Sequence, residues 1–154
     1  TENRQVVRRS DGRTVEIIMQ KPKLLHIVLL LMAMTALHFI ANLTGLYEQP
    51  IIWIDKVLHI MAGIAVAMLW FWFLQRKEQF SDNNPKIILV SSAVGFVLLI
   101  AFLWEVAEFA FWKGLPEYAN NLNLYSPTIF DVLSDIGSNL IGAIIFSVFA
   151  KKKI

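Results

Sequence analysis

Glu105 and Glu108 stand three residues apart in "FLWEVAEFAFW", a run that is otherwise apolar and aromatic. In a helix that spacing puts both carboxylates on one face. Asp55 and His59 are four apart in "DKVLH", and Asp131, Asp135 and Asn139 repeat at four in "DVLSDIGSN". His38 and Asn42 are spaced in the same way upstream. Each set therefore shares one face of its helix. Carboxylates combined with imidazole are the donor set that suits Mg²⁺, Mn²⁺, Zn²⁺ or Fe²⁺. Such an ion can activate water or polarise a phosphoryl or acyl oxygen. On this reading His59, Glu105, Glu108, Asp131 and Asp135 are candidate metal ligands. Asp55 and Glu108 are candidate catalytic groups, with Asp55 orienting His59 or acting as general base. Asn139, His38 and Asn42 are candidates for supporting or substrate-binding roles.

The elements that must position these groups are apolar. The chain has 154 residues, of which 56% are hydrophobic and 17% charged, with a mean hydropathy of +0.57. A soluble domain is normally nearer half apolar. Four stretches, Leu24–Leu46, Ile51–Leu74, Ile87–Trp112 and Ile129–Ala150, reach the roughly 20 residues needed to cross a hydrocarbon core. The expectation is an all-α membrane protein, four transmembrane helices in an up-down bundle. The first run follows a polar segment, is longer than a signal-peptide core and lacks a small-x-small cleavage site, so it reads as a span. The absence of cysteine excludes disulfides, thiolate metal sites and cysteine nucleophiles.

The distribution of charge orients the bundle. Arg4, Arg8, Arg9, Arg13, Lys21 and Lys23 precede the first span; Arg76, Lys77 and Lys86 join the second to the third; Lys151, Lys152 and Lys153 follow the fourth. Only Lys56 and Lys113 fall toward the other side. The positive-inside rule then puts both termini in the cytoplasm of a bacterial inner membrane. The same pattern accounts for the basic residues without nucleic acid. Residues 1–23 read as a basic arm on anionic lipid, although Asp11-Gly12 between two β-prone runs is also a hairpin signal. Residues 24–150 form the transmembrane domain and 151–154 a basic tail.

In that topology spans 1 and 3 run outward with their polar pairs near their ends, while spans 2 and 4 run inward with theirs near their beginnings. At 1.5 Å per residue Glu105 lies about 10 Å below Trp112, and Asp135 roughly 12 Å below Pro127. The polar groups thus fall at one depth in the outer half. A lone acid at mid-helix costs about 2.5–3.5 kcal/mol on insertion scales. Two carboxylates about 5 Å apart repel by roughly 3 kcal/mol at an effective dielectric near 20. Five acids together require positive charge: a bound metal, protons, or a cationic part of a substrate.

Plainer readings exist for single residues. Asp131 suits the positive end of a helix dipole, Asp55 can pair with Lys56 at the interface, and His38 and Asn42 can join helices. His26 reads as interfacial. Ser126-Pro127 reads as an N-cap with proline at the first helical position. Gly63, Gly95 and the Ser138-xxx-Gly142 pair offer small faces for close packing.

"DKVLHIMAGIAVAMLW" resembles the Asp-Lys-x-x-His segment of VanZ-like membrane proteins, and "FLWEVAEF" with "FDVLSDIGSNLIGAIIF" resembles that family's later glutamate and its closing Asp-x-x-x-Asn-x-x-Gly helix. The doubled glutamates and aspartates are more similar still to the YjdF-like group of small bacterial membrane proteins. The resemblance spans residues 51–146 and carries over Asp55, His59, Glu105, Asp135, Asn139 and Gly142. It implies a setting in the cell envelope, where VanZ-like proteins are linked with glycopeptide resistance. The chain departs from that family where glutamine and arginine usually follow the glutamate, since Phe109 and Ala110 stand nearby.

Three functions fit. The first is a metal-dependent hydrolase or transferase at the outer leaflet, acting on an amphiphilic envelope substrate, with residues 113–127 as its lid. The second is a cation-binding or transport protein, which at this size implies a homo-oligomer. The third is a non-catalytic partner in a membrane complex. No nucleophilic triad, phosphate-cradling glycine loop or lipid-phosphatase signature is present.

Overall fold

The structure, a computed structural model, describes residues 4–8, 14–18, 23–48, 53–76, 86–122 and 128–149. Four of its helices are long and apolar enough to cross a membrane: α1 (Leu24–Leu43), α2 (Trp53–Arg76), α3 (Lys86–Gly114) and α5 (Ile129–Phe149). A short α4 (Pro116–Asn121) follows α3. Two strands before the first span, β1 (Arg4–Arg8) and β2 (Thr14–Ile18), pair antiparallel from Arg4 opposite Ile18 to Arg8 opposite Thr14. The helical expectation thus acquires a two-strand addition outside the spans. The Asp11-Gly12 turn lies outside the described residues, as do Ser126, Pro127 and the lysine tail.

Helix ends follow local chemistry. At the close of α1 the Thr44 amide bonds to the Ile40 carbonyl at 2.9 Å. Gly45 then takes a φ of 68°, a left-handed conformation that glycine reaches without steric cost. A single 3-10 turn, Leu46–Glu48, carries the chain away. Helix α4 begins with Pro116, whose fixed φ suits a first turn and whose missing N–H is not needed there. Thr128 caps α5, its Oγ1 accepting from the Asp131 amide at 3.2 Å.

Helix α2 is the hub. It packs most extensively on α5 and also meets α1 and α3, while α5 packs on α3. The contacts are made by small residues. Ala67, Val97 and Ala143 are buried together, with Val66, Val94 and Phe146 around them. A Cβ on Gly63 would stand 2.0 Å from the Asn139 carbonyl oxygen, and one on Gly142 would stand 2.1 Å from the Ile60 carbonyl oxygen. Without these two glycines α2 and α5 could not approach so closely. That agrees with their reading from sequence, whereas a Cβ on Gly95 would meet nothing within 4 Å, so the small packing face expected there is not used. Trp70 stacks on Phe96 at 4.6 Å and donates to the Ser92 hydroxyl at 3.0 Å, joining α2 to α3.

Leucine, isoleucine, valine and phenylalanine side chains are exposed along all four long helices. In water such surface would be costly; against lipid tails it is neutral, and association depends on close packing and polar contacts.

Candidate functional site

The polar contacts gather at the starts of α2 and α5. Lys56, on the first turn of α2, directs its ammonium at three carboxylates: Asp55 at 3.1 Å, Asp131 at 2.8 Å, and Asp135 in the closest contact of the three. An ammonium has three N–H donors, so all are used. Asp135 is the least accessible of the acids, its side chain 6% exposed against 27% for Asp55 and 19% for Asp131.

His59 stands one turn deeper on α2. Its Nε2 lies 3.6 Å from Asp55 Oδ1 and 3.5 Å from Asp135 Oδ1. Its Nδ1 lies 3.0 Å from the Asn139 amide nitrogen, and that amide also donates to the Asp135 carbonyl at 2.9 Å. An amide donating to Nδ1 leaves the proton of a neutral His59 on Nε2, facing the two aspartates. Asp55, His59 and Asp135 each offer a ligand atom, and these atoms lie within 4.8 Å of one another. Ligands about 2.0–2.2 Å from a shared ion fit inside that span.

Helix α3 supplies the glutamates from its far end. Glu105 is 7% exposed, and its Oε1 is buried with no hydrogen-bond partner among the described residues. It sits close enough to Asp131, Asp55 and Lys56 to feel their charges. Glu108 is half-buried and accepts from the Trp104 indole at 2.7 Å, within electrostatic reach of Glu105, Asp55 and Asp135.

Helix α1 approaches through its end. His38 Nδ1 and the Tyr47 hydroxyl are hydrogen-bonded at 2.7 Å, and the Asn42 amide reaches the Asn121 carbonyl of α4 at 3.4 Å. Burial, and then the Asp55 and Glu108 charges, push the Tyr47 phenol up from 10 to about 12. It is therefore neutral at any ordinary pH.

The structure thus brings Asp55, His59, Asp131, Asp135 and Asn139 into one network with Glu105 beside it. Glu105, Glu108 and Asp131 are not in the three-residue group that could share an ion. His38 and Asn42 contact other residues at the same end. Two participants are additional to the sequence reading. Lys56 has no assigned partner there beyond Asp55, yet it also bonds Asp131 and Asp135 across the helix interface. Its position three residues before His59, the only basic residue within the apolar run of α2, was the available signal. Tyr47 carried none beyond following the α1 turn.

Fold and site together define a helical membrane protein with four apolar spans and an ion-paired polar cluster at one end of the helix pair α2–α5. Comparison with known protein families agrees with the membrane character. Residues 19–152 match the model of a family described as predicted membrane protein (DUF2238), and the chain belongs to that family. An uncharacterized protein of Thermotoga maritima is 31% identical over 90 residues, covering 58% of this chain. The chain spans 45% of that relative's length. No solved structure matches.

Proposed function

We propose that the cluster is an intramembrane site for a divalent metal, Mg²⁺, Mn²⁺, Zn²⁺ or Fe²⁺, opening toward the outer face of a bacterial inner membrane. In this reading the bundle runs up and down with both termini cytoplasmic. The observation that carries it is the placing of Asp55, His59 and Asp135 ligand atoms within 4.8 Å of one another, beside a buried Glu105 oxygen without a partner. Five acids against one lysine leave a deficit of positive charge, and an ion would offset it. Asp135 and His59 are the primary ligands, with Asp55 as third ligand or general base. Glu105, Glu108 and Asp131, outside that three-residue group, would act as further ligands or proton acceptors. Asn139 governs the His59 tautomer: its amide now donates to Nδ1, and a metal on Nε2 would require the amide to turn its oxygen to a protonated Nδ1 and give up its bond to the Asp135 carbonyl. His38, Asn42 and Tyr47 line the entrance.

A metal held there would supply Lewis acidity to a phosphoryl or acyl oxygen. The activity proposed is hydrolysis or transfer on an amphiphilic envelope substrate, in keeping with the VanZ-like and YjdF-like resemblance. Protein purified without chelator should carry near-stoichiometric divalent metal, lost in Glu105→Gln and Asp135→Asn. Elemental analysis finding none in the wild type would remove the proposal.

A second reading rests on Lys56. Three carboxylates satisfied by one internal ammonium are also what a purely structural clasp between α2 and α5 requires. On that reading the chain is a non-catalytic partner in a membrane complex, and the same variants lose stability without any change in metal content.

A further inference from the structure

We propose that Lys56 is a tethered stand-in for the divalent ion, occupying its seat until the ion arrives and excluding monovalent cations from it. The inference rests on the metal reading above and concerns how that site is regulated. Two of the three carboxylates that hold the ammonium, Asp55 and Asp135, belong to the three-residue group that could share an ion. The overlap extends to a single atom. Asp135 Oδ1 accepts from Lys56 and is also the oxygen 3.5 Å from His59 Nε2. An ion bound through Asp135 Oδ1 and His59 competes with the ammonium for that oxygen, so at this seat the two cations exclude each other.

Lys56 has a way out. Its side chain is 22% exposed, and its four-carbon stem is flexible. Asp131, which also bonds it, lies outside the three-residue group. The ammonium can therefore stay on Asp131 while releasing Asp55 and Asp135. Glu105, whose buried Oε1 has no hydrogen-bond partner among the described residues, is an acid the lysine leaves unsatisfied. Selectivity follows from charge. A sodium or potassium ion brings no more charge than the ammonium it displaces and must also shed water. A divalent ion doubles the charge at the same seat.

The test uses the full chain purified in detergent, with Mn²⁺ as probe. In the wild type, acylation of the Lys56 amine is followed by mass spectrometry with and without saturating Mn²⁺, with Lys113 as internal reference. Release from Asp55 and Asp135 should raise Lys56 labelling several-fold and leave Lys113 unchanged. In Lys56→Gln, Mn²⁺ affinity should rise roughly tenfold or more, as expected from removing one unit charge a few ångström away. Excess Na⁺ should then compete with Mn²⁺ in the variant and not in the wild type. Mn²⁺ binding to the wild type with unchanged Lys56 labelling overturns the displacement and leaves the metal site standing. Absence of Mn²⁺ binding in both proteins overturns the metal site itself, and the stand-in role falls with it.

Discussion

Lys56→Met should destabilise the bundle, and Asp135→Asn should cost far less in that background than it does alone. Lys56 is the only cation bonded to Asp55, Asp131 and Asp135 among the described residues, and Asp135 has the least contact with solvent. Removing one partner of a buried ion pair costs about 3–5 kcal/mol, because the remaining charge is left uncompensated. The upper half of that range is expected here, since three carboxylates lose their partner together. Asp135→Asn alone gives up one charge-assisted hydrogen bond, worth about 1.5–3 kcal/mol. In the double variant the most buried of the stranded charges is gone. The combined loss should fall short of the sum of the two single losses by about 2 kcal/mol, within the coupling expected for residues in one network. Unfolding by SDS or steric trapping in a fixed detergent measures all four corners of the cycle. Additivity within about 0.5 kcal/mol would refute the reasoning, as would a neutral Lys56→Met. Either outcome would show that the contacts carry no net energy.

Gly63→Ala should cost about 1–3 kcal/mol or more, because its Cβ would meet backbone at Asn139 rather than a side chain that can move; Gly95→Ala, with open space around it, should be neutral or slightly stabilising in thermal unfolding. Tyr47 gains stability for the folded state only while it is protonated. Its folded pKa of about 12 lies above the ordinary 10, so that contribution is complete below pH 10 and lost as pH rises toward 12. Alkaline unfolding curves of Tyr47→Phe should lack this component. Because the chain has no cysteine, single cysteines at positions 48 and 118 give a clean topology test. Labelling by an impermeant reagent from outside is expected, and labelling only from the cytoplasmic side would overturn the proposed orientation.

The spans were legible because hydrocarbon leaves little choice: a backbone in lipid must satisfy its own hydrogen bonds, so long apolar runs become helices. Their ends shifted by a few residues, as with Leu43 for Leu46, because the Gly45 turn rather than hydropathy closes α1. Helix α4 was missed even though Leu115-Pro116-Glu117 is a reasonable helix start. Six residues of mixed polarity show no period to read. The pairings at the site were less legible. Lys56 meets Asp131 and Asp135 across 75 and 79 residues of sequence. Spacing within one helix says which residues share a face, and not which faces meet. Positive-inside counting also worked against the lysine, treating it as a stray charge on the sparsely basic side when it has three acids to satisfy.

The packing and the polar cluster are one device. Gly63 lies one turn beyond His59 on α2, and Asn139 one turn beyond Asp135 on α5. The contact that only a glycine permits, Gly63 against the Asn139 backbone, is made by the residue whose amide holds His59. One turn back along both helices, His59 faces Asp135, and Lys56 bridges to Asp135 and Asp131. The register of α2 on α5 is therefore specified twice, once by steric fit and once by charge. A slip of one turn would pull His59 from Asp135 and place a side chain where Gly63 now admits backbone. A substitution at Gly63 should consequently disturb the site as strongly as one at Lys56, although Gly63 has no polar atom to contribute. That coupling separates a site built into the helix interface from acids that merely happen to be neighbours.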